Sequence, residues 1–331
     1  MSRNRFKALL IEREDGIVRA RLRKLVDADL PAGEVLVAVR YSSLNYKDGM
    51  AITGKGRIVA SYPHVPGVDF SGCVLASENA EFKPGDEVVL TGWGVGERHW
   101  GGLAQRARVQ AEWLVPLPRG LDLRKAMTIG SAGLTAMLCV MALEEAGVLP
   151  DSGTVVVTGA AGGVGSMAVA LLAQLGYRVA AVTGRNSSHA FLRQLGAAEF
   201  LGREEMSRPP RKLESRRWAG CVDVVGGVML ARILAEMNYG GTVAATGLAG
   251  DDSLSTSMMP FILRNVCLRG VESVTPPRAL RERAWRRLAE LLPEQAYQAI
   301  GQEIPLAEVA AAAERIMRGE IRGRVLVDLE K

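Results

Sequence analysis

The stretch that most constrains the fold is TVVVTGAAGGVGSMAVALLAQLG, Thr154 to Gly176, in which a β-branched run breaks into glycines and then into helical periodicity. It predicts a strand, a tight turn and a helix in direct succession. Gly159, Gly162 and Gly165 recur every third residue with Gly163 added, and Val164, Ala168, Leu171 and Leu172 form an apolar helix face behind them. Glycines in such a turn let the backbone approach a pyrophosphate, and the helix start offers N–H groups and a positive dipole end to its charge. Gly176 stops the helix and RVAAVT supplies the next strand. An acid after that strand would bind the ribose hydroxyls of NAD, but this chain has Thr183, Gly184 and Arg185, the last twenty residues after Gly165. The extra phosphate of NADP needs a cation there, and an arginine fork suits it. A solvated surface arginine is the plain alternative for Arg185; its place just after the strand favours the phosphate.

With 331 residues, 48% hydrophobic and 5% aromatic, the chain can bury a large core and divides naturally into two domains. The net charge of +5 is small for this length and the basic residues are dispersed apart from local groups such as Arg208 to Lys212, so nucleic acid is not an expected partner. No run of eighteen apolar residues is uninterrupted, and FKALLI near the start is too short and too closely followed by charge to be a signal core. A membrane is therefore not expected as a partner either, and the expected compartment is the cytoplasm. Cys73, Cys139, Cys221 and Cys267 lie far apart, as do His64, His99 and His189. That spacing suits neither a disulfide framework nor a zinc loop, and it predicts cysteines that act as small buried hydrophobes, with no metal site.

The first part of the chain, to about Lys125, has short strand-like runs (FKALLIE, EVLVAVRYSS, GVDFSGCVLA, DEVVLTG) separated by Pro and Gly turns. From about Ala126 helix and strand alternate, which predicts a parallel, doubly wound sheet. The tail closes with the helix LAEVAAAAERIMRGE and the strand RGRVLVDL, read as a return to the first domain. The expected boundaries are 1–125 with 298–331 for one domain and 126–297 for the other, with the active-site cleft between them.

A β-rich N-terminal part, an inserted GAAGGVG unit and a tail ending in GRVLV resemble the medium-chain dehydrogenase/reductase superfamily over essentially the whole chain. SSLNYKD (Ser42 to Asp48), PGVDFSG (Pro66 to Gly72), LTGWGVGERHWGGLA (Leu90 to Ala104) and MPFILRNVCLRGVES (Met259 to Ser273) are similar more specifically to the NADPH-dependent acryloyl-CoA reductases, a zinc-free branch near the quinone oxidoreductases. The resemblance implies an α/β fold made of a β-rich GroES-like catalytic domain and a doubly wound Rossmann domain. Zinc-dependent relatives carry a ligand cysteine where this chain has Asn45, and Gly-His-Glu where it has Gly67, Val68 and Asp69. Val68 cannot bind a metal. Without a Lewis acid, alcohol and ketone interconversion loses its usual catalyst, whereas hydride addition to a carbon conjugated to a thioester does not need one.

The implied reaction is hydride transfer from NADPH to the β-carbon of acryloyl-CoA, with protonation at the α-carbon to give propanoyl-CoA. Asn45 and Tyr46 are the implied catalytic pair, orienting nicotinamide and thioester, with Tyr46 as acid or as cofactor contact. Asp48 is read as loop support, because a carboxylate facing a developing enolate would repel it. Ala161, Gly162, Gly163 and Val164 are implied to cradle the pyrophosphate, and Thr183, Gly184 and Arg185 to enclose the adenosine phosphate. Arg203 is a second cation for it or a surface arginine. Leu248, read as ending the strand AATGL, is implied to meet the cofactor, with Ile262 and Ser273 flanking the next strand; Ile262 is alternatively plain core. Trp93, Arg98 and Trp100 serve either the CoA arm or a structural loop. A homodimer joined along the strand in VCLRGVES is the family expectation. The rival readings are an NADPH-dependent quinone or general enal reductase, and a non-enzymatic NADPH-sensing protein.

Overall fold

The computed structural model describes residues 5–331. In chain order the elements are β1 (Arg5–Glu14), β2 (Ile17–Val26), β3 (Val35–Leu44), α1 (Tyr46–Thr53), β4 (Asp69–Ser77), β5 (Glu87–Thr91), β6 (Arg106–Val109), β7 (Leu114–Pro116) and α2 (Leu123–Glu145). There follow β8 (Val155–Val157), α3 (Gly163–Gln174), β9 (Val179–Thr183), α4 (His189–Gln194), β10 (Glu199–Gly202), α5 (Arg203–Met206), β11 (Trp218–Asp223), α6 (Gly227–Glu236) and β12 (Met237–Ala245). The chain ends with α7 (Met259–Arg264), β13 (Cys267–Gly270), α8 (Arg278–Leu291), α9 (Glu294–Ile300), β14 (Gly301–Pro305), α10 (Val309–Met317) and β15 (Arg324–Asp328). Two compact units result: one takes the chain up to Ser131 with Val274–Arg278 and Gly301–Lys331, the other Ala132–Ser273 and Ala279–Ile300.

In the first unit a mostly antiparallel sheet runs β14-β15-β3-β4-β5-β7, with β6 also on β3, and β1 pairs with β2 in a separate hairpin. Alternation drives it: Val35, Val37 and Val39 of β3 are buried while the residues between them are only partly so. Phe70, Val88, Leu90, Val325 and Val327 complete that core, each fully buried aliphatic side chain contributing roughly 1.5–3 kcal/mol. The tail strand β15 pairs antiparallel with β3, Val325 opposite Leu44. This register delivers Arg324 to the end of β3, where α1 begins.

The second unit is a six-stranded parallel sheet in the order β10-β9-β8-β11-β12-β13. Its direction of winding reverses between β8 and β11, and in such sheets ligands bind beyond the carboxyl ends of the strands at that switch point. Val155, Val156 and Val157 are all buried, as in a parallel strand covered on both faces.

Gly130 interrupts α2 with non-helical dihedrals (φ 50°, ψ −157°). One expectation is corrected here. Cys267, expected to be buried, is exposed on β13 at the end of the strand order, whereas Cys139 and Cys221 are buried. Among the described residues one helix, Leu123–Glu145, is long and apolar enough to cross a membrane, and it is nearly all buried inside the structure.

Candidate active site

Asn45 sits where extended backbone turns helical (φ −106°, ψ 166°), between β3 and α1. Its N–H donates to Asp48 Oδ2 at 2.8 Å, and Asp48 Oδ1 accepts the N–H groups of Gly67 at 3.0 Å and Val68 at 3.1 Å. The Asp48 carboxyl therefore ties the start of α1 to the turn ahead of β4. It is buried; desolvation first, then the charge of Asp69, pushes its pKa up to about 7 against the pull of those donors. Tyr46, the first helical residue, is 47% exposed, which leaves its ring accessible to a ligand.

Beneath Asn45 lies a buried polar network. Asp69 is 0% exposed and Arg324 3%. Asp69 Oδ1 accepts from Ser43 N at 3.2 Å and Ser43 Oγ at 2.5 Å, while Oδ2 accepts from Asn45 Nδ2 at 3.0 Å and Ser131 N at 2.8 Å. Arg324 donates through Nη1 to Asn45 Oδ1 at 3.0 Å and through Nη2 to Ser43 Oγ at 2.5 Å, and its Nη2 stands 3.7 Å from Asp69 Oδ2. Burial pulls the pKa of this guanidinium below its ordinary value, and the charges of Asp69 and Asp48 oppose that. The kink in α2 belongs to the same arrangement, because a Cβ on Gly130 would stand 2.6 Å from Arg324 Nη2 and 2.8 Å from Asp69 Oδ2. Glycine satisfies both the positive φ and the close approach.

At the switch point of the second unit, β8 ends at Val157 and α3 starts at Gly163, with no side-chain cap at Gly162. The helix start is thus open to an anion. A Cβ on Gly165 would lie 2.4 Å from the Gly159 carbonyl oxygen, so glycine is what lets the helix begin this close to the turn. Below it, Thr158 Oγ1 donates to Asp223 Oδ1 at 2.6 Å and accepts from Val224 N at 2.9 Å, while Asp223 Oδ2 accepts from Gly226 N at 2.9 Å. These bonds clamp the ends of β8 and β11. Burial raises the pKa of Asp223, and its donors Thr158 Oγ1, Gly226 N and Val225 N oppose the rise. Ala161 is buried in the turn, and Gly162, Gly163 and Val164 are partly exposed.

Thr183 on β9 pairs with Gly202 on β10, so Gly184 and Arg185 leave the sheet beside Arg203. The Arg185 N–H donates to Thr183 Oγ1 at 3.3 Å. A Cβ on Gly184 would stand 3.1 Å from Arg203 Nε and 3.3 Å from its Cζ, which places that guanidinium against the turn. The sequence left Arg203 between two roles, and the structure brings it to the segment that carries Arg185.

The remaining candidates are more scattered. Leu248 does not end a strand: β12 stops at Ala245, Thr246 N and Oγ1 bond to Asp223 O and Val271 O, and Leu248 lies beyond, 65% exposed. Ile262 is not core, being 72% exposed on α7. Ser273 lies beyond β13 and accepts a hydrogen bond from Thr135 Oγ1 at 2.7 Å. Trp100 packs on the cluster of Phe6, Leu10 and Val65, and Trp93, held at φ 58°, donates its backbone N–H to Val274 O at 3.0 Å. Both tryptophans have packing roles. Sequence reasoning missed Ser43, Arg324, Thr158 and Asp223 as parts of the site. An arginine heading the buried run RVLVDL was the available signal, but its partner Asn45 is 279 positions away.

The family described as alcohol dehydrogenase GroES-like domain matches residues 31–119, and the family described as zinc-binding dehydrogenase matches residues 163–290. The donor set here does not fit zinc: Val68 offers hydrocarbon, and both ends of the Asn45 carboxamide are engaged in the network. Among the described residues no three or more His, Cys, Asp or Glu side chains gather so as to hold a metal ion. The chain is 57% identical to "Probable acrylyl-CoA reductase AcuI" of Escherichia coli (strain K12), over 97% of this chain and 99% of that one. It is 53% identical to acrylyl-CoA reductase AcuI of Ruegeria pomeroyi, over 98% of this chain and 99% of that one. The crystal structure of the yhdH oxidoreductase from Salmonella enterica in complex with NADP matches with a TM-score of 0.96 and 57% identity, covering 97% of this chain and 99% of that one.

Proposed function

Given that the chain belongs to the medium-chain dehydrogenase/reductase superfamily, in its quinone-oxidoreductase-like branch with the acrylyl-CoA reductases, we propose that it reduces the C=C bond of acryloyl-CoA to propanoyl-CoA with NADPH. Bound NADPH supplies the hydride that adds to the β-carbon. The open start of α3, with Ala161, Gly162, Gly163 and Val164, holds the pyrophosphate by N–H groups and helix dipole. Thr183, Gly184, Arg185 and Arg203 hold the adenosine phosphate, and the two guanidinium groups select NADPH over NADH. Leu248, Ile262 and Ser273 are secondary cofactor contacts; the exposure of Leu248 and Ile262 leaves both accessible. Asn45 and Tyr46 form the catalytic pair. Tyr46 offers a hydroxyl that donates a hydrogen bond where negative charge develops on the thioester oxygen, or serves as the acid for the α-carbon.

The observation that carries this reading is the closed network of Asn45, Asp69 and Arg324 where metal-dependent relatives bind zinc. A site that holds Asn45 by hydrogen bonds and offers no metal ligand suits addition to an already activated C=C bond, which does not need a Lewis acid. The protein works as a homodimer in the cytoplasm. Support for the dimer is that β13 ends the strand order of its sheet and follows the apolar, exposed Met259 and Leu263 of α7. Four unbridged cysteines fit a reducing compartment. The test is NADPH oxidation with purified protein across acryloyl-CoA, longer enoyl-CoA esters, free enones and quinones. Turnover highest on acryloyl-CoA is expected; turnover only on quinones or enones moves the activity to the rival reductase, and NADPH binding without turnover of any acceptor leaves a sensor.

A further inference from the structure

The carboxamide of Asn45 is held between opposite charges. Its Oδ1 faces Arg324 Nη1 at 3.0 Å, and its Nδ2 faces Asp69 Oδ2 at 3.0 Å and the Ser43 carbonyl at 3.2 Å. Turning the amide over would set its N–H groups against a guanidinium that has only donors, and its oxygen against a carboxylate that has only acceptors. Each wrong contact would fall on a buried charge, Asp69 or Arg324, where a lost partner is most costly. One rotamer and one amide orientation therefore survive.

Asp69 is itself saturated, with four donors on two oxygens. Arg324 completes the ring through Ser43 Oγ and reaches the Thr128 carbonyl at 3.4 Å. Asn45, which is partly exposed while Ser43, Asp69 and Arg324 are buried, precedes Tyr46 and stands at the N-cap of α1. A buried ion pair is weak evidence for stability, and its better-attested use is to impose one arrangement where several would pack.

On the reductase reading given above, we propose that Arg324 is a positioning residue: with Asp69 it locks the Asn45 carboxamide in one orientation and so sets the start of α1 from which Tyr46 projects. Arg324 touches neither substrate nor cofactor in this role. Lysine in its place keeps a charge but loses the planar fork that serves Asn45 and Ser43 together.

The test is a double-mutant cycle of Arg324→Lys and Asn45→Ala, read as kcat for the best acceptor and as Kd for NADPH. Each single change is expected to lower kcat by about tenfold or more with less than about a twofold change in Kd, and the double variant to be no slower than Asn45→Ala alone, because Arg324 acts through Asn45. Multiplying losses, or an unchanged kcat in folded Arg324→Lys, would overturn the proposal. Ser43→Ala, which removes one acceptor of Arg324 without a change of charge, is the milder variant if the lysine protein does not fold; a several-fold fall in kcat is expected, and none would count against the ring. The Asn45 carboxamide proton pair in a ¹H–¹⁵N spectrum, assigned by its loss in Asn45→Ala, is expected to shift in Arg324→Lys or Ser43→Ala; an unmoved pair overturns the lock whether or not any acceptor is turned over. Failure of the wild-type protein to reduce acryloyl-CoA would instead strike the functional reading, and the cycle would then be read on the quinone or enone it does reduce.

Discussion

The guanidinium of Arg203 lies against Gly184, so near that a Cβ there would stand 3.1 Å from its Nε, and the pairing of Thr183 with Gly202 brings Arg185 out of the sheet at the same edge. The Arg203 guanidinium thus lies against the turn that carries Arg185. Arg185→Ala is expected to weaken NADPH binding by roughly 1.5–3 kcal/mol, the scale of a hydrogen bond to a charged group, and to leave NADH almost unaffected. Preference then falls about ten- to a hundredfold. Arg203→Ala should cost less, and the double variant more than either, without strict additivity. The ratio of kcat/KM for the two cofactors in all three variants decides it; equal losses for NADPH and NADH would mean that Arg185 only holds the loop.

Activity is expected to survive exhaustive chelation, because Val68 and the engaged carboxamide of Asn45 supply no zinc ligands. Elemental analysis of the purified protein is the check. One tightly held zinc per chain whose removal abolishes turnover would refute the metal-free mechanism.

Tyr46→Phe keeps the ring and removes only the hydroxyl. With that hydroxyl as donor to the thioester oxygen or as acid, kcat should drop on the order of a hundredfold while the Kd for NADPH holds. Rapid-mixing kinetics at saturating NADPH separate the two quantities, and an unaltered kcat would reassign Tyr46 to contact with the cofactor.

Asp48 makes stability depend on pH. Its carboxyl is raised from an ordinary 3.8 to about 7, by burial first and by Asp69 second. Between those values the folded state keeps a proton that the unfolded state has released, so the contribution is full below 3.8 and is lost as pH rises through about 7. Urea unfolding across that window should show the wild-type protein losing stability relative to Asp48→Asn as pH increases. A difference that stays flat with pH would show that Asp48 remains ionised throughout.

Much of the nucleotide unit was legible before any coordinates. Strand, glycine turn, helix and second strand are written in contiguous residues, and Gly159, Gly162 and Gly165 meet requirements that are local to the backbone. The place of Arg185 just after β9 was legible for the same reason, since its distance from the turn is a distance along the chain. Leu248 was misread at the level of structure, because apolar residues near a strand look alike whether they end it, pack behind it or stand exposed after it. Where Arg203 lies could not be read from its neighbours in sequence; the pairing of β9 with β10 sets it beside the turn at Gly184.

By itself the sequence determined the alternation that makes a β-rich part and a parallel sheet, the glycine turn, and the replacement of zinc ligands by Asn45 and Val68, all of which depend on short-range sterics or on the identity of single side chains. Only the tertiary structure decided what holds Asn45. Its orientation is set by Asp69 and by an arginine 279 positions away, brought together when β15 pairs with β3 and when Gly130 bends α2 around them. Buried charges acquire their meaning from whatever the fold places within hydrogen-bond reach, and that reach is a distance in space which the order of residues does not encode locally.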